Sequence, residues 1–181
     1  MGRVSQAQAQ ENRARVVAAA SRLFREQGTD VSVADVMKAV GLTHGGFYKQ
    51  FASKEALVIE AATLAFAEQE DLRSRQDAAH STRSASQQGL IDWYLSDEHR
   101  DCPADGCPSA GLAVDMARDD DPATRDVYAA GVRDFASWLA TDGDDDGLAR
   151  LSTLVGAILL ARATQGTELS EDVLKAARNA L

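Results

Sequence analysis

The most chemically unusual stretch of the 181-residue chain is Cys102-Pro-Ala-Asp-Gly-Cys107, with His99 and Asp101 just ahead of it. Three readings of these residues stay open. The cysteines can be ordinary loop and helix-start residues, with Cys107 small and buried. One thiolate can sense an oxidant or an electrophile, favoured if Cys107 lies near a helix amino terminus, where backbone N–H groups stabilise the anion. Metal binding asks for more than a five-residue separation and a single neighbouring histidine supply, so no metal site and no cofactor are assigned. Two cysteines are also too few for a disulfide-stapled scaffold, and a reducing cytosol keeps them as thiols.

A second stretch, Ser32 to Phe51, has the form of two short helices joined by a glycine turn, the second polar on its outer face. That arrangement places a helix in the major groove of DNA. Ser32 and Asp35 make a capping pair, Val33, Val36, Met37 and Val40 supply an apolar face, and Gly41 stops the first of the two helices. The next helix is predicted from Thr43 to about Gln50, although Gly45 and Gly46 each cost it about 1 kcal/mol relative to alanine. Such glycines suggest close approach to a partner.

Charge is divided along the chain in a way that fits. The net charge of −9 argues against a nucleic-acid partner, but residues 1–54 hold eight basic and four acidic residues, net +4, whereas residues 55–181 are net −13. A basic head on an acidic body suits a DNA-reading segment. No run of about 18 apolar residues occurs and the amino terminus lacks a signal-peptide stretch, so a cytoplasmic protein is expected.

The elements that must position these groups read as all-α, about nine helices, with 45% hydrophobic residues and no strand pattern. A flexible arm is expected over about residues 1–10. A first helix follows from Asn12, with Val16, Val17, Ala20, Leu23 and Phe24 as its stripe and Gly28 as its end. Ser53 caps a long helix reaching about Arg75, and the Ser/Gln/Thr-rich stretch 78–88 reads as a loop. Leu112 to Ala117 and Pro122 to Leu139 follow as helices, the sequence Asp142 to Gly147 breaks the chain, Leu148 to Thr164 is the most hydrophobic segment, and Ser170 is expected to cap the last helix. The division implied is a helix-turn-helix domain over 1–54 and a helical body over 55–181.

The run Gly41-Leu-Thr-His-Gly-Gly-Phe-Tyr-Lys-Gln-Phe-Ala-Ser-Lys-Glu-Ala-Leu resembles the amino-terminal signature of the TetR family of repressors, and the resemblance extends over about Arg13 to Ala61. It implies a one-component transcriptional regulator, not an enzyme, that binds a palindromic operator as a homodimer. It also implies roles. Thr43 and Tyr48 bind phosphates, His44, Gly45 and Gln50 face base edges, and Lys49 adds backbone charge. Ser32 and Lys54 lie at helix starts suited to phosphate, while Phe47 and Phe51 hold the frame. Where Gly46 stands the family often has a bulkier or hydroxylated residue.

For the body the resemblance implies an inducer pocket among the middle helices, with Trp93, Tyr94, Met116, Tyr128, Phe135 and Trp138 as available lining, and release by an unknown small molecule or by thiol oxidation at Cys102 or Cys107. Dimerisation is expected through the helices at about 148–164 and 170–181, with Gly156, Ala157 and Ala163 permitting close approach. Two other readings remain: an all-α thiol redox enzyme with Cys102, Cys107 and His99, and a small-molecule-binding protein of this fold without operator binding.

Overall fold

Among the described residues of the computed structural model, 6–141 and 145–181, every regular element is helical. The order is α1 (Gln6–Gln27), α2 (Val33–Ala39), a 3-10 turn (His44–Lys49), α3 (Lys54–Ala79), α4 (Arg83–Tyr94), α5 (Asp97–Asp101), a second 3-10 turn (Pro103–Asp105), α6 (Pro108–Gly111), α7 (Ala113–Arg118), α8 (Pro122–Leu139), α9 (Gly147–Ala163) and α10 (Glu168–Ala180). About nine helices thus become ten, with two 3-10 turns. The reason is proline: Pro103 and Pro108 lack the N–H that continues a helix, so the stretch 97–118 is broken into short pieces.

Local chemistry sets most boundaries. The Ser32 hydroxyl accepts from the Asp35 N–H at 3.1 Å and donates to the Asp35 carboxylate at 2.6 Å, starting α2. Ser53 does the same for α3, accepting from Ala56 N–H at 3.2 Å. Gly28 and Gly41 end α1 and α2 at φ +86° and +72°, the left-handed region where a Cβ is strained.

Three expected boundaries are corrected. Residues 6–10 of the expected arm are the first turns of α1, and residues 1–5 lie outside the described residues. The loop foreseen at 78–88 shrinks because Thr82 accepts from Ala85 N–H and starts α4 within it. Ser170 does not cap α10, which begins at Glu168 behind Thr167; Ser170 is buried, and its hydroxyl donates to the Ala161 carbonyl at 2.8 Å, tying α10 to α9. Of the break expected at Asp142 to Gly147, residues 142–144 lie outside the described residues.

Two apolar clusters hold the molecule. The first joins Val16, Ala20, Phe24, Val36, Met37, Phe47 and Phe51 to Leu57, Val58 and Ala61 of α3, and is closed from the body side by Leu112 and Met116. The second packs Leu90, Ile91, Tyr94, Phe135, Leu139, Leu151, Leu154, Ile158 and Leu174. Helix α3 runs past both and is the physical link between them. No helix among the described residues is long and apolar enough to cross a membrane.

Candidate nucleic-acid interface and buried thiol cavity

The segment after Gly41 folds as a 3-10 turn rather than the short helix expected, with Gly45 and Gly46 in its first half. Its frame is aromatic. Phe47 is fully buried and stacks on Phe51 at 5.2 Å, and the Arg13 guanidinium lies 4.6 Å over the Phe51 ring while binding Glu60 with both ends. The hydrogen bond and charge of Glu60 raise the Arg13 pKa above its ordinary value.

On that frame the outer residues face solvent. Tyr48 is 65% exposed, its ring held edge-on by Phe47 at 5.1 Å and by His44 at 5.8 Å. Ser32, Thr43, His44, Gly45 and Lys49 are exposed, and Lys54 is half-buried at the first position of α3. Thr43 occupies the cap position but its hydroxyl makes no cap bond, which leaves it free for a phosphate. A Cβ at Gly45 would meet nothing within 4 Å, so this is open surface that lets a partner approach the backbone. Gln50 differs: it is half-buried, its Oε1 is buried without a partner, and its backbone carbonyl accepts from Arg13.

In the body, Cys107 is buried and Cys102 exposed. Around Cys107 the chain assembles polar groups seldom buried together. The Gln69 Nε2 donates to Cys107 Sγ at 3.0 Å. The Cys107 N–H donates to His99 Nε2 at 3.0 Å, which makes Nδ1 the protonated nitrogen, donating to the Tyr94 carbonyl at 2.7 Å. Desolvation, opposed by that backbone bond and helped by the Arg162 charge, lowers the His99 pKa to about 4, so the ring is neutral. Tyr94 is fully buried, and burial together with the adjacent Cys107 holds its phenol well above the usual range. Arg162 on α9 closes the end of α5, donating to the His99 carbonyl at 2.7 Å and the Arg100 carbonyl at 3.1 Å.

A cavity of about 310 Å³ opens beside the thiol, lined by Arg25, Ala65, Glu68, Gln69, Leu72, Arg75, Trp93, Asp105, Gly106, Cys107 and Pro108. It sits at the joint between head and body. Arg25, near the end of α1, donates to the Gly106 carbonyl at 3.1 Å, the Ser21 carbonyl at 3.1 Å and Glu68 at 2.8 Å. Desolvation lowers its pKa, with Glu68 opposing. Two further ties run in parallel: Arg22 pairs with Asp105, and the Asp115 carboxylate accepts from the Thr29 N–H at 3.1 Å.

Of the pocket residues expected, Trp93 lines this cavity. Tyr94 and Phe135 are buried in the body core, and Met116 belongs to the head cluster. Tyr128 donates to the Ser109 carbonyl at 2.6 Å, and burial pushes its phenol up to about 12. Trp138 donates through its indole N–H to Asp77 at 3.0 Å beside a separate polar cleft. Sequence reasoning missed Arg25, Gln69 and Arg162. The signal for Gln69 was present, since Val58, Ala61, Ala62 and Ala65 extend at helical spacing to Gln69 and Arg73, which puts two polar residues on a buried face.

Residues 16–61 match the sequence model of the bacterial regulatory proteins, tetR family. Over nearly its whole length the chain superposes on a TetR transcriptional regulator from Chloroflexus aurantiacus J-10-FL, with TM-score 0.79, 25% identity and 96% of each chain covered. A TetR-family regulator from Agrobacterium tumefaciens shares the fold at TM-score 0.79 and 18% identity, over 96% of this chain and 98% of that one. The reduced form of E. coli NemR does so at 0.75 and 17%, over 93% and 96%. No curated protein sequence matches the chain.

Proposed function

Since the chain belongs to the TetR family of bacterial regulatory proteins, we propose that it is a one-component repressor that binds a palindromic operator as a homodimer and leaves it when a small molecule enters the body. The observation that carries this reading is the exposed row Thr43, His44, Gly45, Tyr48 and Lys49 on a buried Phe47–Phe51 frame, at the basic end of an acidic chain. Ser32, Lys54, Thr43, Tyr48 and Lys49 meet phosphates. His44 and the Gly45 backbone meet base edges, and Gln50 joins them once its carboxamide turns outward.

One short element reads too few base pairs, so a second head is required. The surface for pairing is on α9 and α10. Leu148, Leu160 and Leu169 are each more than half exposed there, and a Cβ on Gly156 would meet nothing within 4 Å. Gly156 and the exposed Ala163 suit close helix approach; Ala157 is buried in the body core and packs inward instead.

The body's role is effector sensing, since the cavity touches Arg25 of α1 and Cys107 at once. A second reading, release by oxidation, is favoured by one observation: the buried Cys107 thiol lines the cavity and accepts a hydrogen bond from Gln69. Cys107→Ser then abolishes release by oxidant; unchanged release leaves only a packing role. The repressor reading itself is tested by selecting bound fragments from genomic DNA at moderate salt. Enrichment of a palindrome is expected, and failure to enrich one defeats the reading.

A further inference from the structure

The cavity beside Cys107 also narrows the chemistry of its occupant. At about 310 Å³ it lies at the small end of the roughly 300–1,000 Å³ of ligand sites, which fits one substituted ring rather than a polycyclic ligand. Ala65, Leu72, Trp93 and Pro108 make apolar walls, with the Trp93 ring stacked on His99 at 4.6 Å.

Three lining groups have bonding capacity left over. Arg25 is 4% exposed at its side chain and uses three of its five N–H donors, on Ser21, Gly106 and Glu68. Arg75 lines the cavity with no ion-pair partner among the described residues. Gln69, buried with its amide on the thiol, has a buried Oε1 that accepts from nothing. The lining carboxylates are both engaged, Glu68 by Arg25 and Asp105 by Arg22. The unused charged groups are therefore cationic, and the unused buried acceptor is an amide oxygen.

Building on the proposed regulator reading, we infer that this cavity takes a small aromatic carboxylate carrying a hydroxyl or N–H donor. The carboxylate sits on Arg75 and Arg25, the ring lies against Trp93 and Leu72, and the donor satisfies Gln69 Oε1. Glu68 is 46% exposed, so it is a counterion that an incoming carboxylate displaces. Arg25 then shares its charge with the ligand while still holding the Gly106 carbonyl, and occupancy is felt directly by α1.

Calorimetric titration of the full chain without DNA tests this, using 4-hydroxybenzoate, benzoate and the uncharged 4-hydroxybenzyl alcohol as probes. The hydroxy acid is expected to bind tightest and the alcohol about tenfold more weakly or worse. Arg75→Gln, at an exposed position that leaves the fold intact, weakens both acids by about tenfold. Gln69→Leu brings the hydroxy acid down to the level of benzoate. Glu68→Gln tightens both acids, a gain that a merely structural role for Glu68 does not produce. No binding of either acid, equal binding of the alcohol, or unchanged affinity in Arg75→Gln overturns the inference. Since no DNA is present, a chain that fails to bind an operator leaves this result untouched; one that binds its operator but no acid sinks the inference alone.

Discussion

In the head, hydrogen-bonding side chains stand outside an apolar interior: Thr43, His44, Tyr48 and Lys49 are exposed over Phe47, Phe51 and Met37. In the body around Cys107 they are inside. Gln69, Arg73 and His99 are all buried, as is Arg25 where α1 meets the body, and Arg25 and Arg73 each pair with an exposed carboxylate, Glu68 or Asp134. An apolar interior under polar skin makes a stiff platform, as a DNA reader requires. Buried polar groups with incomplete partners are costly unless something completes them. On the proposed reading, the first region holds its shape and the second answers a ligand.

The largest expected effect tests the stiff side of that comparison. Phe47→Ala removes a fully buried ring from the stack with Phe51 and is expected to cost about 3–5 kcal/mol, read from denaturant melts, with DNA binding lost. A cost under about 1 kcal/mol would mean that the head is not a packed unit at all.

The body answers to acid through His99. It stays neutral down to about pH 4 in the folded chain, whereas an ordinary histidine takes up its proton at 6.5. Between those values the unfolded chain binds more protons, so stability falls as pH drops from about 6.5 to about 4 and this contribution levels off below, on the order of 3 kcal/mol in total. Urea midpoints across that range check the slope, and His99→Gln is expected to remove most of it.

Next comes the joint. Arg25→Met leaves the Gly106 carbonyl and the Glu68 carboxylate without their donor, an expected loss of about 1–3 kcal/mol. In the same variant the effector no longer changes DNA affinity, although DNA is still bound. Retained effector response would place the coupling elsewhere, along α3 or through Asp115.

The platform's skin should move stability least. Lys49→Ala and Tyr48→Phe change the melting free energy by less than about 0.5 kcal/mol. Lys49→Ala is expected to weaken binding evenly across DNA sequences and to reduce the salt slope by about one.

The head was legible in the sequence because its determinants are local. The Ser32 and Ser53 caps, the Gly28 and Gly41 ends and the Phe47–Phe51 spacing each act within a few residues, and the structure has all of them. Even so, the segment His44–Lys49 is a 3-10 turn, since two adjacent glycines weaken the wider helix. The body was read only as all-α. Its cavity is made by residues 25, 65–75, 93 and 105–108, whose proximity depends on how α1, α3 and the broken 97–118 stretch pack. Of the six aromatic and sulfur-bearing residues expected there, Trp93 reached it, because large apolar side chains are drawn to cores first. The exposure of Cys102 and the burial of Cys107 follow from the turns at Pro103 and Pro108, which spacing alone does not orient.

Two copies of this chain are proposed to read a two-fold DNA site through the Thr43–Lys49 surface. The most direct test is a fluorescence anisotropy titration, at one moderate salt concentration, of the selected palindrome against a duplex carrying a single half-site. Binding to the palindrome is expected to be at least about a hundredfold tighter, with Lys49→Ala weakening both; equal affinity for the two duplexes would contradict paired reading.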